Sequence, residues 1–339
     1  MSTESKAIHP ALENHGLRLM IAVFGAAVFG LAIGNYLVAF LGPVVAVSLM
    51  APGQPAPAIG KFLILPLIIW LLADAVNVIT LFLSAYSDVL LLSYAGLFFL
   101  IFHQDAVKGP GPVAGLVMIV LVAVGTFSAA LPTGASFLVN ALALGTLAAV
   151  LGALLAHAAF PNNAALPEKE LPQPSTAPLR ESLGRTILLM ILFGYFVLTG
   201  KFDSLYILVT AVAVLRLPTA AQGGIGLVLS NIIGGAIALV AAALIATDPS
   251  DLFAILLFAA MVLSLGLAAE VGGARAAIAK GATGTAIILM VISLAPADGS
   301  EAYFSRVVEI AITVGYVLLG RALMDAPPKP MPKLQTAPA

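Results

Sequence analysis

The chain has no cysteine, a single tryptophan and very little charge: Asp, Glu, Lys and Arg together make up 9% of its 339 residues. The absence of cysteine removes disulfides and thiolate metal sites from consideration. With a net charge of −1, nothing points to a nucleic-acid partner. Motifs for chemistry are missing as well. The Gly-Lys pairs at Gly60-Lys61 and Gly200-Lys201 lack both the earlier glycine and the following Ser or Thr of a phosphate-binding loop. His9, His15, His103 and His157 show no metal-binding spacing, and no GxSxG nucleophile elbow occurs. No catalytic residues, metal or cofactor are therefore expected, and the chain does not read as an enzyme.

What is abundant is apolar surface. Hydrophobic residues make up 61% of the chain, against about 45–50% in an ordinary soluble domain. A soluble fold of this size must still show water a polar face. A bilayer removes that demand by acting as the solvent. Aromatic residues are only 7%, and Ala, Leu, Val, Ile and Gly carry the hydrophobicity. Such a mix suits closely packed helices rather than the alternating strands of a membrane barrel. The expected fold class is an all-α polytopic membrane protein.

A span needs roughly 20 apolar residues. Twelve candidates occur, at 17–34, 36–51, 58–84, 88–103, 112–131, 136–158, 183–200, 203–217, 222–246, 251–269, 277–295 and 302–323. The first has no small-residue cleavage site and reads as a span, not a signal peptide. The second and eighth are short; the third is long, with Pro66 as a place to bend. If the N-terminus is cytoplasmic, thirteen of fifteen Lys and Arg residues fall inside, and only Lys201 and Arg306 fall outside. That split is what the positive-inside rule asks of an inner-membrane protein with both termini in the cytoplasm.

Residues 159–182 form the one substantial break, stiffened by Pro161, Pro167, Pro172, Pro174 and Pro178. They separate a membrane half at 1–158 from a second at 183–324, and a proline-rich tail at 325–339 is expected to be disordered. An offset of 166 residues aligns Leu49 with Leu215, Pro52 with Pro218, Ile59 with Ile225, Gly60 with Gly226 and Gly115 with Gly281. Six spans per half is an even number, so the two halves are expected to be parallel repeats about an axis along the membrane normal.

The stretch from Leu205 to Ile245 is the most distinctive. A short span with Tyr206 near its outer end leads to Arg216-Leu217-Pro218, a Gly-rich turn, and a span bearing Gly226, Asn231, Gly234 and Gly235. In the first half the same frame holds Asn35-Tyr36, Pro43, Met50-Ala51-Pro52 and Gly60. This arrangement resembles the membrane unit of the fusaric-acid-resistance and aromatic-acid-exporter superfamily, in its short members without a large cytoplasmic domain. The resemblance implies efflux of small organic acids or amphiphiles, often beside a periplasmic adaptor protein. The first half departs from the pattern, with Met50 in place of Arg216 and Ile68-Ile69 in place of Gly234-Gly235.

Candidate site residues are polar groups at membrane depth. Asp74 falls near the middle of the third span, where a carboxylate costs at least about 2.5–3.5 kcal/mol and must face a partner or a wet cavity. It reads either as a proton carrier or as a structural aspartate tied to Asn77 or a neighbouring helix. Arg216 reads as a gate or anion-binding group, or as an anchor at the cytoplasmic boundary. Glu270 and Arg275 flank Gly272 and Gly273 and read as a surface pair or a cytoplasmic gate. The four-residue stripe Gly226, Ser230, Gly234, Ala238 reads as a packing face, with Asn231 as a possible substrate contact. Asn140 reads as a helix-to-helix hydrogen bond. The expected function is proton-coupled efflux of small organic acids or amphiphilic toxic compounds. The alternatives are a membrane scaffold that anchors a periplasmic adaptor, or a passive anion channel. The bilayer is the first expected partner, with an adaptor and further copies of the chain as others.

Overall fold

Each apolar stretch expected to be a span contains a helix in the computed structural model, which describes residues 12–50, 58–109, 112–161, 177–200, 205–216, 220–247, 250–293 and 299–325. The helices are α1 (His15–Ala32), α2 (Tyr36–Leu49), α3 (Ile59–Leu83), α4 (Ser87–Lys108), α5 (Pro112–Ala130), α6 (Ala135–Ala159), α7 (Pro178–Thr199), α8 (Leu205–Leu215), α9 (Ala220–Thr247), α10 (Asp251–Glu270), α11 (Gly273–Ser293) and α12 (Gly299–Asp325). No strand occurs among the described residues. Most of the linker, the two aligned prolines Pro52 and Pro218, and the tail from 326 onward lie outside the described residues.

Local chemistry sets the ends. Asn35 precedes α2 and accepts a hydrogen bond from the Val38 amide at 3.1 Å, and Ser250 accepts from Phe253 at the start of α10. Each cap satisfies a first-turn N–H that has no intrahelical acceptor. Gly34, at φ +68°, makes the turn between α1 and α2 that an L side chain would resist. Helix α3 continues through Pro66.

Seven helical stretches, within α1, α3, α4, α6, α7, α9 and α10, are long and apolar enough to cross a membrane. Their outer faces carry exposed large apolar side chains, among them Leu63, Leu67, Leu71 and Val78 on α3 and Leu92 and Leu100 on α4. Such a surface matches hydrocarbon and not water. The chain is an all-helical membrane protein. Helix α2 has 14 residues and α8 has 11, so at 1.5 Å per residue they reach only about 21 and 17 Å, less than the roughly 30 Å of hydrocarbon.

Lipid tails are as apolar as leucine, so the bundle must be held by close packing. Small residues allow it. A methyl group at Gly152 of α6 would run into the backbone oxygen of Ala22 on α1, and one at Gly234 of α9 into that of Ala282 on α11. The stripe read from the sequence is therefore partly a packing face: Ser230 donates to the Ile278 carbonyl at 3.0 Å and Ala238 is buried, but a methyl group at Gly226 would meet no neighbouring helix. Aromatic packing joins α4 to α7, with ring centroids of Tyr94 and Phe193 4.6 Å apart and Phe98 edge-on to Phe193 at 5.4 Å. Between residues 12–159 and 178–325, the main contacts among the described residues are α1 with α10, α4 with α7, α2 with α11, α5 with α8, and α5 with α7.

Candidate functional site

Asp105 sits in the last turn of α4, where the helix macrodipole opposes a carboxylate. It tolerates that position because Arg216, just past the end of α8, meets it with two N–H groups. Nε donates to Oδ2 at 2.6 Å and Nη2 to Oδ1 at 3.1 Å. The Asp105 side chain is 1% exposed and that of Arg216 14%. Planar guanidinium and carboxylate are matched in this two-bond geometry, which a lysine ammonium would not reproduce. Gly115 on α5 makes room: a methyl there would collide with Nη1 of Arg216. Three helices thus converge on one buried ion pair. Arg216, which the sequence left between a boundary anchor and a functional group, points inward and is bound.

Asp105 escaped the sequence reading. It lies in the segment FHQDAVK, close to a helix end and to Lys108, where an acid looks like ordinary boundary charge. Only the return of Arg216 from 111 residues away identifies it. The aligned glycine at 115 was a usable signal, because a conformationally undemanding glycine inside a helix marks close approach.

Asp74 is half-buried on α3 and forms no hydrogen bond or ion pair among the described residues. Asn77 is not its partner. That amide is buried and accepts from the Ser128 hydroxyl on α5 at 2.8 Å. One turn on, Thr80 and the Tyr94 hydroxyl lie 2.6 Å apart, joining α3 to α4. Asn231 plays a similar part on α9: it donates to Leu227 and accepts from Thr285 on α11, each at 2.8 Å. Both asparagines thus tie a third helix to a fifth. Asn140 is a helix-to-helix contact, accepting from Trp70 Nε1 at 3.3 Å.

The Glu270–Arg275 pairing expected from the sequence does not form. Arg275 is exposed, while Glu270 Oε1 accepts from the Gly16 amide at 2.8 Å. The physical reason lies in the turn between them. Gly272 and Gly273, at φ +77° and +64°, redirect the chain into α11. Glu270 is left facing the first-turn amides of α1, where the positive end of the helix dipole favours it. The six sequence candidates are therefore dispersed: Arg216 in one ion pair, Asn77 and Asn231 in separate helix ties, Glu270 under α1, Arg275 at the surface and Asp74 alone on α3.

Compared with family models, curated proteins and solved structures, the chain matches none. Its class rests on its own geometry: a helical membrane protein in which a carboxylate and a guanidinium, far apart in sequence, are buried together at the ends of two helices.

Proposed function

We propose that the chain is a secondary transporter of twelve spans, built from two parallel six-helix halves and exporting small organic acids from the cytoplasm across a bacterial inner membrane. Two features support the repeat. The helices of residues 178–325 start within about five positions of those of 15–159 when the latter are shifted by 166. Most contacts between the halves come in exchangeable pairs, α1 with α10 against α4 with α7, and α2 with α11 against α5 with α8, with α5 against α7 outside this pairing. A six-helix advance maps each pair onto its counterpart, as an axis along the membrane normal requires.

The observation that carries the transport reading is the Asp105–Arg216 pair, because its partners belong to different halves. A buried ion pair stabilises little beyond what packed apolar side chains would achieve, so its use calls for another reason. Water entering between the halves recovers the hydration of both ions, whereas closure rejoins them. The pair is thus suited to a cytoplasmic gate that opens when the halves rock. Asp74, half-buried and without a partner among the described residues, is the proton-carrying candidate, since a carboxylate at that depth can be neutralised by protonation. The resemblance to aromatic-acid exporters supports carboxylates as cargo and a periplasmic adaptor as partner.

Flux in reconstituted vesicles tests the reading, with benzoate as the probe acid and an imposed pH gradient as the driving force. Gradient-dependent benzoate movement that disappears in Asp74→Asn is the expected result. Absence of gradient-dependent flux in the wild-type protein would remove the transport reading and favour a scaffold.

A further inference from the structure

Helix α3 has two faces with the same spacing. Pro66, Ile69, Ala73, Val76 and Thr80, alternately three and four residues apart, are buried against the rest of the bundle. Ile64, Leu67, Leu71, Asp74, Val78 and Leu81 repeat that spacing on the other side of the helix. Ile64, Leu67, Leu71 and Val78 are exposed, and Asp74 and Leu81 are half-buried. A three-and-four alternation is the seam along which two helices pack knobs into holes. The inner seam is filled by this chain, and the outer one is not.

Asp74 is the one polar member of the outer seam. Helix α3 spans Ile59–Leu83 with Leu71 at its midpoint, so Asp74 lies only about 5 Å beyond the middle at 1.5 Å per residue, at the level of hydrocarbon. It forms no hydrogen bond or ion pair among the described residues. Helices α4, α5 and α6 pack on α3. Their basic side chains are His103, Lys108 and His157, all towards the C-terminal ends of α4 and α6, and Tyr94 of α4 is joined to Thr80 on the buried face. Trp70, one turn before Asp74, donates to Asn140 on α6 at 3.3 Å, and both side chains are exposed. Polar groups therefore line one edge of an otherwise apolar outer face, and lipid tails offer them no partner.

We propose that a second copy of the chain packs on this seam, α3 against α3, with the two Asp74 carboxyl groups meeting across the twofold axis. Copies inserted in the same direction are related by an axis along the membrane normal, so their α3 helices run parallel and each seam residue meets its own counterpart. Two carboxyl groups placed face to face satisfy each other without water, each hydroxyl donating to the carbonyl oxygen opposite. A different protein would have to bring a matching group to the same depth, whereas a second copy brings one by symmetry. Apolar side chains pack on each other little better than on lipid, so Asp74 gives the seam its selectivity and fixes its register. The inference stands apart from the transport reading and shares with it only Asp74.

The test uses the full chain, whose lack of native cysteine leaves no background for disulfide cross-linking. In phosphatidylcholine vesicles under mild oxidation, Leu71→Cys and Val78→Cys should form cross-linked dimers at least about fivefold more than Leu92→Cys and Leu100→Cys, which are exposed on α4 away from the seam. Native mass spectrometry of the wild-type protein released from nanodiscs should show a dimer. Asp74→Val should shift that equilibrium towards monomer by about threefold or more, since it removes the polar contact and leaves the apolar seam. Asp74→Asn should dimerise as the wild type does, because two amides also pair reciprocally. A wild-type monomer, equal cross-linking at the α3 and α4 positions, or a folded Asp74→Val that dimerises as well as the wild type would each overturn the interface. Vesicle flux separates the two readings. Dimers without gradient-driven flux remove transport and keep the interface, and flux by a monomer does the reverse.

Discussion

Removing one member of the Asp105–Arg216 pair should cost far more than removing both. Two unit charges about 4 Å apart attract by about 4 kcal/mol at an effective dielectric constant of 20. The pair is bidentate and its carboxylate is 1% exposed, so an Asp105 that has lost Arg216 has no water to replace its partner. Arg216→Met, which strands the buried carboxylate, should therefore destabilise the protein by about 3–5 kcal/mol, and Asp105→Leu, which leaves the more exposed guanidinium, by less. In thermal unfolding in detergent this corresponds to a fall in Tm of roughly 10 °C. The double variant leaves no orphan charge and should be more stable than either single one, giving a coupling of about 3 kcal/mol or more. The assay is Tm of the four proteins at matched lipid and detergent, read as a double-mutant cycle. Single substitutions that cost under about 1 kcal/mol, or a double variant that shows the sum of both losses, would refute the argument that this pair is buried and interdependent.

Gly115→Ala should loosen the same pair without touching either charge, since its methyl group would displace the Arg216 guanidinium; a fall in Tm smaller than that of Arg216→Met is expected. Tyr94→Phe removes the hydroxyl bonded to Thr80 and should cost about 1 kcal/mol, measured as a small Tm decrease with the aromatic packing on Phe193 intact. Reporter fusions within 162–176 should report the cytoplasm, and a periplasmic signal there would overturn the proposed orientation. Spin labels on the ends of α4 and α8 should separate when the gate opens, whereas labels across α1 and α10 should keep their distance; equal movement of both pairs would contradict a gate on one side.

The helices were legible in the sequence because hydrocarbon imposes a single demand on each span, a sufficiently long apolar run. The reading put the third span at 58–84, and α3 is Ile59–Leu83. Asn140 and the small-residue faces were legible for the same reason, since polar and small residues inside such runs have few uses other than contact between helices. The site was far less legible. Pairing in a bundle depends on which helix ends meet, and apolar composition does not encode that. Asp105 and Arg216 each look like boundary charge alone and acquire meaning only together. Glu270 misled in the opposite way: Arg275 is near in sequence, but the two intervening glycines turn the carboxylate towards α1.

The departure of Met50 from Arg216 can be understood from these contacts. Helices α4 and α10 are counterparts at the 166-residue offset, and each ends near an acid, Asp105 in one and Glu270 in the other. A guanidinium answers the first. No guanidinium stands at the counterpart position to answer the second, because α2 ends beside Met50, which is buried. Backbone amides of α1 serve instead. The two ties differ in kind. An amide tie is short and belongs to a helix already locked against α10 through Gly16 and Gly266, so it cannot lengthen without parting two backbones. A guanidinium on a long side chain can exchange one anion for another, or for water, while its helix moves. The α1–α10 contact is thus suited to act as a pivot and the α4–α8 contact as the side that opens.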